Sequence, residues 1–382
     1  MRLVEAIESK SIKYLNDLAG KKVILRIDVN ISLGENGKVD PGEDWRILKS
    51  LKTIHYLREK GAKVILLAHL GRDKKESLKP IFEYLQNFFP LDFLPDYSAH
   101  ALQNAIGNMS QGSVLLLENL RQHDGEKKND LTFLFPLIEF ADFYVNEAFS
   151  VSHRKHASVY ALAQKLPSYF GFQFIEEVKH LSYFLHHRTG TKTLILGGAK
   201  FGTKLPLLKK MLPNLDYVLM GGALANLFLR ERGFSIGKSF FDDSVDISEI
   251  VENQKIILPI DYVDEHGDLA PIYEVGMEHQ ILDIGEETQK LFHTIIQASG
   301  VILWNGPMGK YEDGYTDGSI QIAKSIASSQ AFSLTGGGDT STVILEEDLE
   351  DAFDFISTGG GAMLDFLVHE TLPGIEAVLG EE

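Results

Sequence analysis

Short, uninterrupted apolar runs alternate with helix-like segments along the whole chain. In the first half each run is followed by a polar or glycine-bearing turn, and the runs are Val23–Ile27, Val64–Leu67, Val114–Leu117 and Phe143–Val145. A run without polar alternation indicates a strand that is covered on both faces, as in parallel sheets flanked by helices. The pattern therefore predicts an α/β fold with mainly parallel sheets.

The same pattern restarts after an amphipathic segment, residues 174–187, that has no strand beside it. We predict the connection between two domains there, because 382 residues exceed what one hydrophobic core usually serves. Five of the six later runs have glycine at or just after their ends, and these runs are Thr193–Leu196, Tyr217–Met220, Ile256–Val263, Val301–Trp304, Phe332–Leu334 and Phe355–Ser357. Ligands of parallel sheets bind beyond the carboxyl ends of strands, so the glycines mark the expected binding edge.

The run that ends at Leu196 continues into Gly197-Gly198 and then into Lys200 and Lys204. Glycine turns leave backbone N–H groups accessible, and together with two ammonium groups they attract phosphate. The spacing does not match a Walker A loop, which requires Gly-Lys-Ser/Thr after four intervening residues. An ordinary strand-to-helix turn with two solvated lysines remains the alternative.

Cationic side chains accompany the predicted strand ends of the first half. They are Arg26, Arg46, His69, Arg72, Arg121, His153 and Arg154. If the sheet is parallel, these groups converge at one edge and form a pocket for a small polyanion, with Asp28 and Asn30 placed to contact hydroxyl groups. Surface ion pairing of each arginine is the alternative.

A triple-glycine turn in the second half, Gly336–Gly338, is followed by Asp339 and Thr340. The glycines can present amides to phosphate at a helix start, and Asp339 can bind Mg²⁺ through oxygen. Capping of the helix by Asp339 and Thr340 is the alternative. Glu312 follows the turn 304–309 and could accept hydrogen bonds from ribose hydroxyls, although exposure to solvent is its ordinary fate.

The formal charge of −17 argues against a general nucleic-acid or anionic-membrane binder. The chain contains no cysteine, which excludes disulfides, thiolate zinc sites and cysteine nucleophiles. An anion pocket in one half and a nucleotide-phosphate site in the other favour phosphoryl transfer between them, with a hinge that closes to exclude water.

Taken together, these motifs resemble those of the phosphoglycerate kinases, from about Gly20 to Gly374. The matching stretches, in chain order, are 26–30, 69–72, 117–121, 153–154, 197–204, 304–309, 336–340 and 357–362. The resemblance implies Mg²⁺-dependent, reversible transfer of the acyl phosphate of 1,3-bisphosphoglycerate to ADP, giving 3-phosphoglycerate and ATP.

The resemblance also implies roles for individual residues. By this resemblance, the residues that contact 3-phosphoglycerate are Asp28, Asn30, Arg46, His69, Leu70, Gly71, Arg72, Arg121 and Arg154. Nucleotide contacts fall to Lys204, Glu312, Gly337, Gly338, Asp339 and Thr340, with Asp339 as the Mg²⁺ ligand. We expect Arg46 and Lys200 to neutralise the phosphoryl group during transfer, with amides from Gly360 and Gly361 nearby.

The expected fold is α/β, with two Rossmann-like domains joined by a helix and a hinge. We assign residues 1–171 to a 3-phosphoglycerate-binding domain, 172–187 to the interdomain helix, 188–365 to a nucleotide-binding domain, and 366–382 to a segment that docks on the first domain. Several positions depart from the family pattern and indicate a divergent member: Ser32, Asp73, Gln122, Glu147, Gly202, Thr203, Ala223, Glu286 and Lys310.

Two other functions stay open at this point. One is a catalytically weak nucleotide-binding scaffold of the same fold, and the other is a kinase for a different carboxylate. We expect a cytoplasmic monomer that binds small-molecule substrates and neither nucleic acid nor membrane, because no segment approaches a spanning length of about 20 apolar residues.

Overall fold

Two six-stranded parallel sheets organise the computed structural model, which describes residues 2–40, 42, 44–72 and 74–380. The first sheet has the order β3-β4-β2-β1-β5-β6, and all of its strand pairs are parallel. Its strands are β1 (Lys22–Arg26), β2 (Lys63–Leu67), β3 (Asp92–Leu94), β4 (Val114–Leu117), β5 (Phe143–Asn146) and β6 (Ser168–Phe170). The prediction of mainly parallel sheets is confirmed here.

The first sheet is covered on both faces, as its continuous apolar runs predicted. Val23, Ile24 and Leu25 of β1 are all fully buried, although alternate side chains of a strand point to opposite faces. Burial of each such side chain stabilises the folded state by about 1.5–3 kcal/mol. The helices around this sheet are α1 (Arg2–Ser9), α2 (Trp45–Glu59), α3 (Lys79–Leu85), α4 (Ala99–Gly107), α5 (Asp124–Lys128), α6 (Phe135–Ile138) and α7 (Phe172–His186).

The second sheet has the order β15-β14-β13-β7-β8-β9 and is also entirely parallel. A separate antiparallel sheet has the order β11-β10-β12. The strands are β7 (Lys192–Leu196), β8 (Tyr217–Met220), β9 (Ile256–Ile257), β10 (Asp261–Val263), β11 (Leu269–Pro271), β12 (Asp283–Ile284), β13 (Val301–Asn305), β14 (Phe332–Gly336) and β15 (Phe355–Ser357).

Helices follow most strands of this second sheet. They are α8 (Phe201–Met211), α9 (Gly222–Glu231), α11 (Asp317–Ala327), α12 (Gly338–Glu346) and α13 (Gly361–His369). Helix α10 (Glu286–Gln297) follows β12 of the antiparallel sheet, and α14 (Pro373–Leu379) is the last helix of the described residues. No helix in the described ranges combines the length and the apolar character that crossing a bilayer requires.

The chain divides into two compact units. The first comprises Met1–Lys179 with His369–Glu382, and the second comprises His180–Val368. The boundary falls inside α7, the helix predicted over residues 174–187. Helix α14 belongs to the first unit, where the backbone N–H of Gly374 donates to the carbonyl of Ser152 at 2.8 Å. Which substrate each unit binds stays a prediction.

The predicted single strand Ile256–Val263 is wrong. Residues 256–257 pair with β8 in the parallel sheet, whereas residues 261–263 belong to the antiparallel sheet. Pro259 lies between them, and proline has no N–H group to donate to a strand ladder. The edge strands β3 and β6 were not predicted, because each has only three residues and lacks a continuous apolar run.

A buried carboxyl group lies at the start of α7. Glu147 is 2 % exposed, and its carboxyl oxygens accept hydrogen bonds from the backbone N–H groups of Gln173 at 3.1 Å and Phe174 at 3.2 Å, and from the hydroxyl of Thr53. Helix starts leave such N–H groups without partners inside the helix, so Glu147 satisfies two of them. Burial nevertheless raises the pKa of Glu147 from 4.5 to about 8, against the opposing effect of these hydrogen bonds.

Glu147 makes stability depend on pH in a defined direction. The unfolded chain loses this proton near its ordinary pKa of 4.5, whereas the native state keeps it until about 8. Between these values the native state binds more protons, so stability falls as pH rises and levels off above the window. Relative to the neutral variant Glu147→Gln, wild type is expected to lose up to about 1.4 kcal/mol per pH unit across this window.

Urea unfolding of both proteins from about pH 5 to about pH 9 measures this difference. Glu139→Gln, at an exposed glutamate of the same unit, is the matched control and should differ from wild type by a constant amount. A constant difference for Glu147→Gln as well would show that Glu147 does not hold its proton in the native state.

Candidate active site

Cationic residues lie where the strands of the first unit end. Arg26 is the last residue of β1, His69 follows β2, and Arg121 follows β4. Since β1, β2 and β4 are parallel, their carboxyl ends meet at one edge of the sheet. These three residues therefore follow strands that end at the same edge of the first sheet.

Arg26 is buried at this edge, with 1 % of its surface exposed. Its Nε donates to Ser158 Oγ at 3.0 Å, its Nη1 donates to the carbonyl of Ile27, and its Nη2 lies 2.9 Å from His69 Nδ1. A guanidinium can only donate, so His69 Nδ1 must accept this hydrogen bond. Burial, followed by the charges of Arg26, Arg121 and Arg154, holds the pKa of His69 well below its usual range. His69 is therefore neutral, with its donor at Nε2.

Arg121 is the buried cation whose hydrogen bonds are incomplete. It is 6 % exposed, and its Nε and Nη1 have no hydrogen-bond acceptor among the described residues. Burial lowers the pKa of Arg121, Glu126 opposes this effect, and Arg26 and Arg154 add to it. Two unpaired N–H groups of a desolvated cation are costly, and an oxyanion with at least two oxygens would satisfy both.

The surrounding groups leave positive charge in excess. The carboxylate of Glu126, 1 % exposed, accepts from Ser158 N at 3.0 Å and from Ser158 Oγ at 2.8 Å. Burial, and then Arg121, Arg154 and Arg26, lower the pKa of His156 to about 3.

Sequence reasoning missed Glu126, Ser158 and His156. Ser158 lies in the π-helical turn Ala157–Ala161, a type of element often found at functional sites. We call Arg26, His69, Arg121, Arg154 and His156 the anion pocket.

A second group of predicted residues is joined by hydrogen bonds at the same edge. Asp28 Oδ1 accepts from the backbone N–H of Asn30 at 3.0 Å, and Asn30 Oδ1 accepts from Gly71 N at 2.8 Å. Arg46 Nη1 lies 3.8 Å from Asp28 Oδ2. Gly71 has φ +62°, a conformation that favours glycine, and a Cβ there would also displace the carboxyl group of Glu76.

The remaining predicted residues of the first unit differ in exposure. The side chain of Leu70 is buried in the core, and its backbone is held by Asn119, so any ligand contact would have to be through the main chain. Arg72 and Arg154 are exposed, and Arg154 Nε donates to His153 Nε2 at 3.0 Å. Asp73 lies outside the described residues.

Glycine turns of the second unit pack closely on one another at the ends of β7 and β13. Gly198 N donates to the carbonyl of Pro307 at 2.8 Å, and Gly197 N donates to that of Asn305 at 3.1 Å. Gly306 has φ +95°, and a Cβ there would lie 2.3 Å from Lys204 Nζ. Glycine is required at this turn because its φ is positive and because the backbone carbonyl of Gly197, 2.4 Å from that Cβ, occupies the space that a side chain would need.

A cavity of about 420 Å³ opens beside these turns. It is lined by Gly198, Ala199, Lys200, Gly222, Ala223, Asn226, Phe240, Gln280, Ile281, Leu282, Pro307, Gly309, Lys310, Glu312 and Asp339. We call it the glycine-lined cavity. A concave site of this size with a few converging polar groups suits a small organic ligand.

Three predicted residues, Lys200, Glu312 and Asp339, line the cavity and are exposed. Lys200 directly precedes α8, and Asp339 lies in the first turn of α12. An oxygen ligand at a solvent-accessible helix start fits Mg²⁺, which commonly uses one or two carboxylates together with phosphate oxygens and water.

Two predicted residues support the cavity wall from behind. Lys204 is 4 % exposed and donates to the carbonyl of Gly197, while Thr340 Oγ1 accepts from Gly306 N at 2.8 Å. Burial and then Lys200 lower the pKa of Lys204 to about 8, and Asp339 opposes this effect. The helix-cap alternative does not describe Thr340, because its hydroxyl accepts from another turn.

The other predicted glycines lie outside the cavity lining. Gly337 and Gly338 form the junction between β14 and α12, and Gly360 and Gly361 form the start of α13. Their backbone positions at helix starts suit oxyanions, but the cavity does not reach them.

Several cavity residues were missed by sequence reasoning. Phe240 is 63 % exposed, and its carbonyl accepts from Asn226 Nδ2 at 3.1 Å. Gln280, Ile281 and Leu282 come from the segment before β12. An exposed aromatic ring beside a cavity can stack on a planar base. No pattern in the sequence marks any of these positions.

Three departures from the family pattern lie in or near the cavity. Ala223 and Lys310 line it, and Lys310 Nζ pairs with Asp313 Oδ2 at 2.6 Å. Thr203 Oγ1 donates to the carbonyl of Lys200 at 3.2 Å in the first turn of α8. The lysine and the threonine are thus held by neighbouring groups of the protein.

Comparison with known proteins identifies the family. Residues 12–370 match the family model of phosphoglycerate kinase. The phosphoglycerate kinase of Pseudothermotoga lettingae is 38 % identical over 390 residues, covering 95 % of this chain and 96 % of that protein.

Solved structures agree with this result over the whole fold. The phosphoglycerate kinase structure from Coxiella burnetii has a TM-score of 0.82 and 31 % identity, and the one from Pyrococcus horikoshii OT3 has a TM-score of 0.86 and 29 % identity. Each comparison covers 96 % of this chain and 98 % of the other. The chain belongs to the phosphoglycerate kinase family.

Proposed function

We propose that this chain catalyses the reversible transfer of the acyl phosphate of 1,3-bisphosphoglycerate to ADP, giving 3-phosphoglycerate and ATP in glycolysis. Family membership over residues 12–370 supports the reaction. The observation in this molecule that carries the proposal is the buried, incompletely bonded guanidinium of Arg121 in a pocket of like charges. Such a pocket requires an anionic ligand.

The anion pocket is the proposed site for the 3-phosphate group. Arg121 would supply two unused N–H donors, and Arg154 adds exposed positive charge beside it. His69 Nε2 and Arg72 complete the proposed phosphate contacts. Gly71 and Leu70, whose amides are bonded to Asn30 and Asn119, are proposed to line the site through their backbone. Asp28 and Asn30 would then bind the hydroxyl group of the substrate, next to Arg46.

The glycine-lined cavity is the proposed nucleotide site. Phe240 and the apolar residues Ala223, Ile281 and Leu282 suit a planar base, and Glu312 suits ribose hydroxyls. Lys200 and Asp339 lie at the end where phosphates would meet the helix starts of α8 and α12. Lys204, Gly337, Gly338 and Thr340 are proposed to shape the phosphate end of the site.

Direct, in-line transfer needs no covalent intermediate on the protein. A β-phosphate oxygen of ADP attacks the phosphorus, the bond from phosphorus to the carboxyl oxygen breaks, and the carboxylate leaves with its electron pair. Charge neutralisation by Arg46, Lys200 and the amides of Gly360 and Gly361 would stabilise the transferring group. Because the two substrates are assigned to different units, the proposal includes a closing movement that brings them into contact and excludes water.

Two properties of the protein remain proposals that need their own measurements. We infer a monomer, which sedimentation in solution would test. We also infer that the protein works in the cytoplasm on small-molecule substrates rather than on nucleic acid or membrane, which subcellular fractionation would test.

Replacement of Arg121 should weaken the binding of 3-phosphoglycerate without lowering the stability of the folded protein. Arg121→Met removes the two unpaired donors, and we expect 3-phosphoglycerate to bind at least tenfold more weakly, since a hydrogen bond to a charged group is worth about 1.5–3 kcal/mol. Binding of ADP should change less than twofold. Calorimetric titration of each ligand into the full chain measures both effects.

The same variant should not be less stable than wild type, because it removes a desolvated cation with unpaired donors. Lys60→Ala, at an exposed lysine after α2 and away from the strand exits, is the matched control. Equal weakening of both ligands by Arg121→Met would contradict the assignment of the anion pocket to 3-phosphoglycerate.

Asp339 is the proposed Mg²⁺ ligand, and its replacement by asparagine tests the contribution of its negative charge to Mg²⁺ binding. Asp339→Asn should weaken binding of Mg·ADP by tenfold or more, yet leave or improve binding of ADP in the presence of a chelator, because a negative charge near the phosphates is removed. Asp317→Asn, in the first turn of the neighbouring helix α11, is the control. Unchanged affinity for Mg·ADP would exclude Asp339 as a ligand.

The kinase proposal itself is tested by turnover. Lys200→Ala should reduce kcat for ATP formation from 1,3-bisphosphoglycerate and ADP by about 10²-fold or more, because stabilisation of transition-state charge is lost. Lys209→Ala, on the last turn of the same helix and paired with Glu249, should keep wild-type turnover. A wild-type rate no higher than that of Lys200→Ala would instead favour the catalytically weak scaffold.

A further inference from the structure

Two histidines and two carboxylates lie together in the second unit, outside the substrate sites. Asp264, Glu265 and His266 follow β10 in the turn towards β11, and His279 comes from the segment before β12. Glu265, His266 and His279 each offer one ligand atom, and these atoms all lie within 4.8 Å of one another. The proposed function uses none of these four side chains.

The distances are close to those of a tetrahedral metal site. His279 Nδ1 lies 3.0 Å from Asp264 Oδ2 and 3.7 Å from Glu265 Oε1, and His266 Nε2 lies 4.0 Å from Glu265 Oε1. With bonds of about 2.0–2.2 Å to a central zinc ion, ligand atoms are separated by roughly 3.4 Å. Each of these three pairs would therefore need to change by about 1 Å or less. The ligand atoms of Glu265, His266 and His279 already lie within 4.8 Å of one another, and Asp264 joins this group through its contact with His279.

The protein already holds both carboxylates in place. Asp264 Oδ1 accepts from the backbone N–H groups of His266 at 2.8 Å and Asp268 at 2.9 Å, which leaves Oδ2 directed at His279. Glu265 Oε2 accepts from Gln280 N at 2.9 Å, and its Oε1 is the atom that faces the histidines. In each case one oxygen is anchored by the backbone and the other is available to an ion.

The segment that carries His279 is also fixed. Its carbonyl accepts from Lys238 N at 2.8 Å, and its N–H donates to the carbonyl of Gly276 at 3.2 Å. By contrast, the side chain of His266 is 66 % exposed and can rotate towards the centre of the cluster. The exposed His266 side chain is therefore the ligand that can adjust to an ion, while the backbone holds the other three in place.

The donor set indicates which ion would bind. Two imidazole nitrogens with two carboxylate oxygens suit Zn²⁺ and its neighbours in the transition series, whereas Mg²⁺ prefers oxygen ligands throughout. The chain has no cysteine, so no thiolate competes for such an ion.

We propose that Asp264, Glu265, His266 and His279 form a binding site for a divalent transition-metal ion of the zinc type. An ion there replaces the proton between His279 Nδ1 and Asp264 Oδ2 and links the β10–β11 turn to the segment that continues into Gln280, Ile281 and Leu282. Those three residues line the glycine-lined cavity, so the ion would stabilise one of its walls. The proposal does not depend on which ligand the cavity binds.

Zinc titration of the untagged full chain tests the site directly. The protein is first treated with a chelator and then titrated calorimetrically with Zn²⁺ in a buffer that does not bind metals and contains no nucleotide. We expect a saturable site with a stoichiometry of one and a higher midpoint of thermal unfolding when zinc is present. Cobalt in place of zinc should give the visible absorption bands of a tetrahedral ion.

Variants then assign the site to these residues. His266→Gln and His279→Gln should each weaken zinc binding at least tenfold and abolish the cobalt bands, whereas His100→Gln, at an exposed histidine of the first unit, should change neither. His266 is exposed, so its variant is expected to fold even if that of His279 does not. Absence of saturable binding, or binding that both cluster variants leave unchanged, would overturn the proposal.

Discussion

Parallel strand pairing determines where charge can collect in this molecule. In the first unit it brings Arg26, His69 and Arg121 to one edge of a sheet, where they are almost completely removed from water. The whole chain carries a formal charge of −17, yet the oxygens of Glu126, a buried carboxylate beside these cations, are bonded to Ser158. A pocket of this kind is unfavourable by itself and becomes favourable when a polyanion enters it.

In the second unit, the charged side chains that line the predicted site are exposed rather than buried. The phosphate groups of a bound nucleotide would meet glycine turns, helix starts and the exposed side chains of Lys200 and Asp339. The buried Lys204 supports the cavity wall by donating to the carbonyl of Gly197. Close contact between the turns at Gly198 and Pro307 fixes the backbone that forms this surface. The proposed nucleotide site therefore combines fixed backbone turns with exposed charged side chains, which suits a ligand whose phosphates change charge during the reaction.

Local patterns predicted the parts of this structure that local physics determines. Continuous apolar runs located the central strands, and the glycines and cations after them lie at the strand ends where both binding edges are predicted. Contacts made over long sequence separations were not predictable in this way. Ser158 bonds to Arg26 from a π-helical turn 132 residues away, and Phe240 and Leu282 reach the cavity from irregular segments without a periodic signal. Pro259, by contrast, was a readable signal that would have divided the strand predicted over residues 256–263.

The most direct test of the account is a crystal structure of the full chain with 3-phosphoglycerate and Mg·ADP bound together. The account predicts that oxygens of the 3-phosphate group accept from Arg121 Nε and Nη1, and that the nucleotide occupies the glycine-lined cavity with its phosphates towards Lys200 and Asp339. A complex in which Arg121 keeps its unpaired donors while 3-phosphoglycerate binds elsewhere would contradict it.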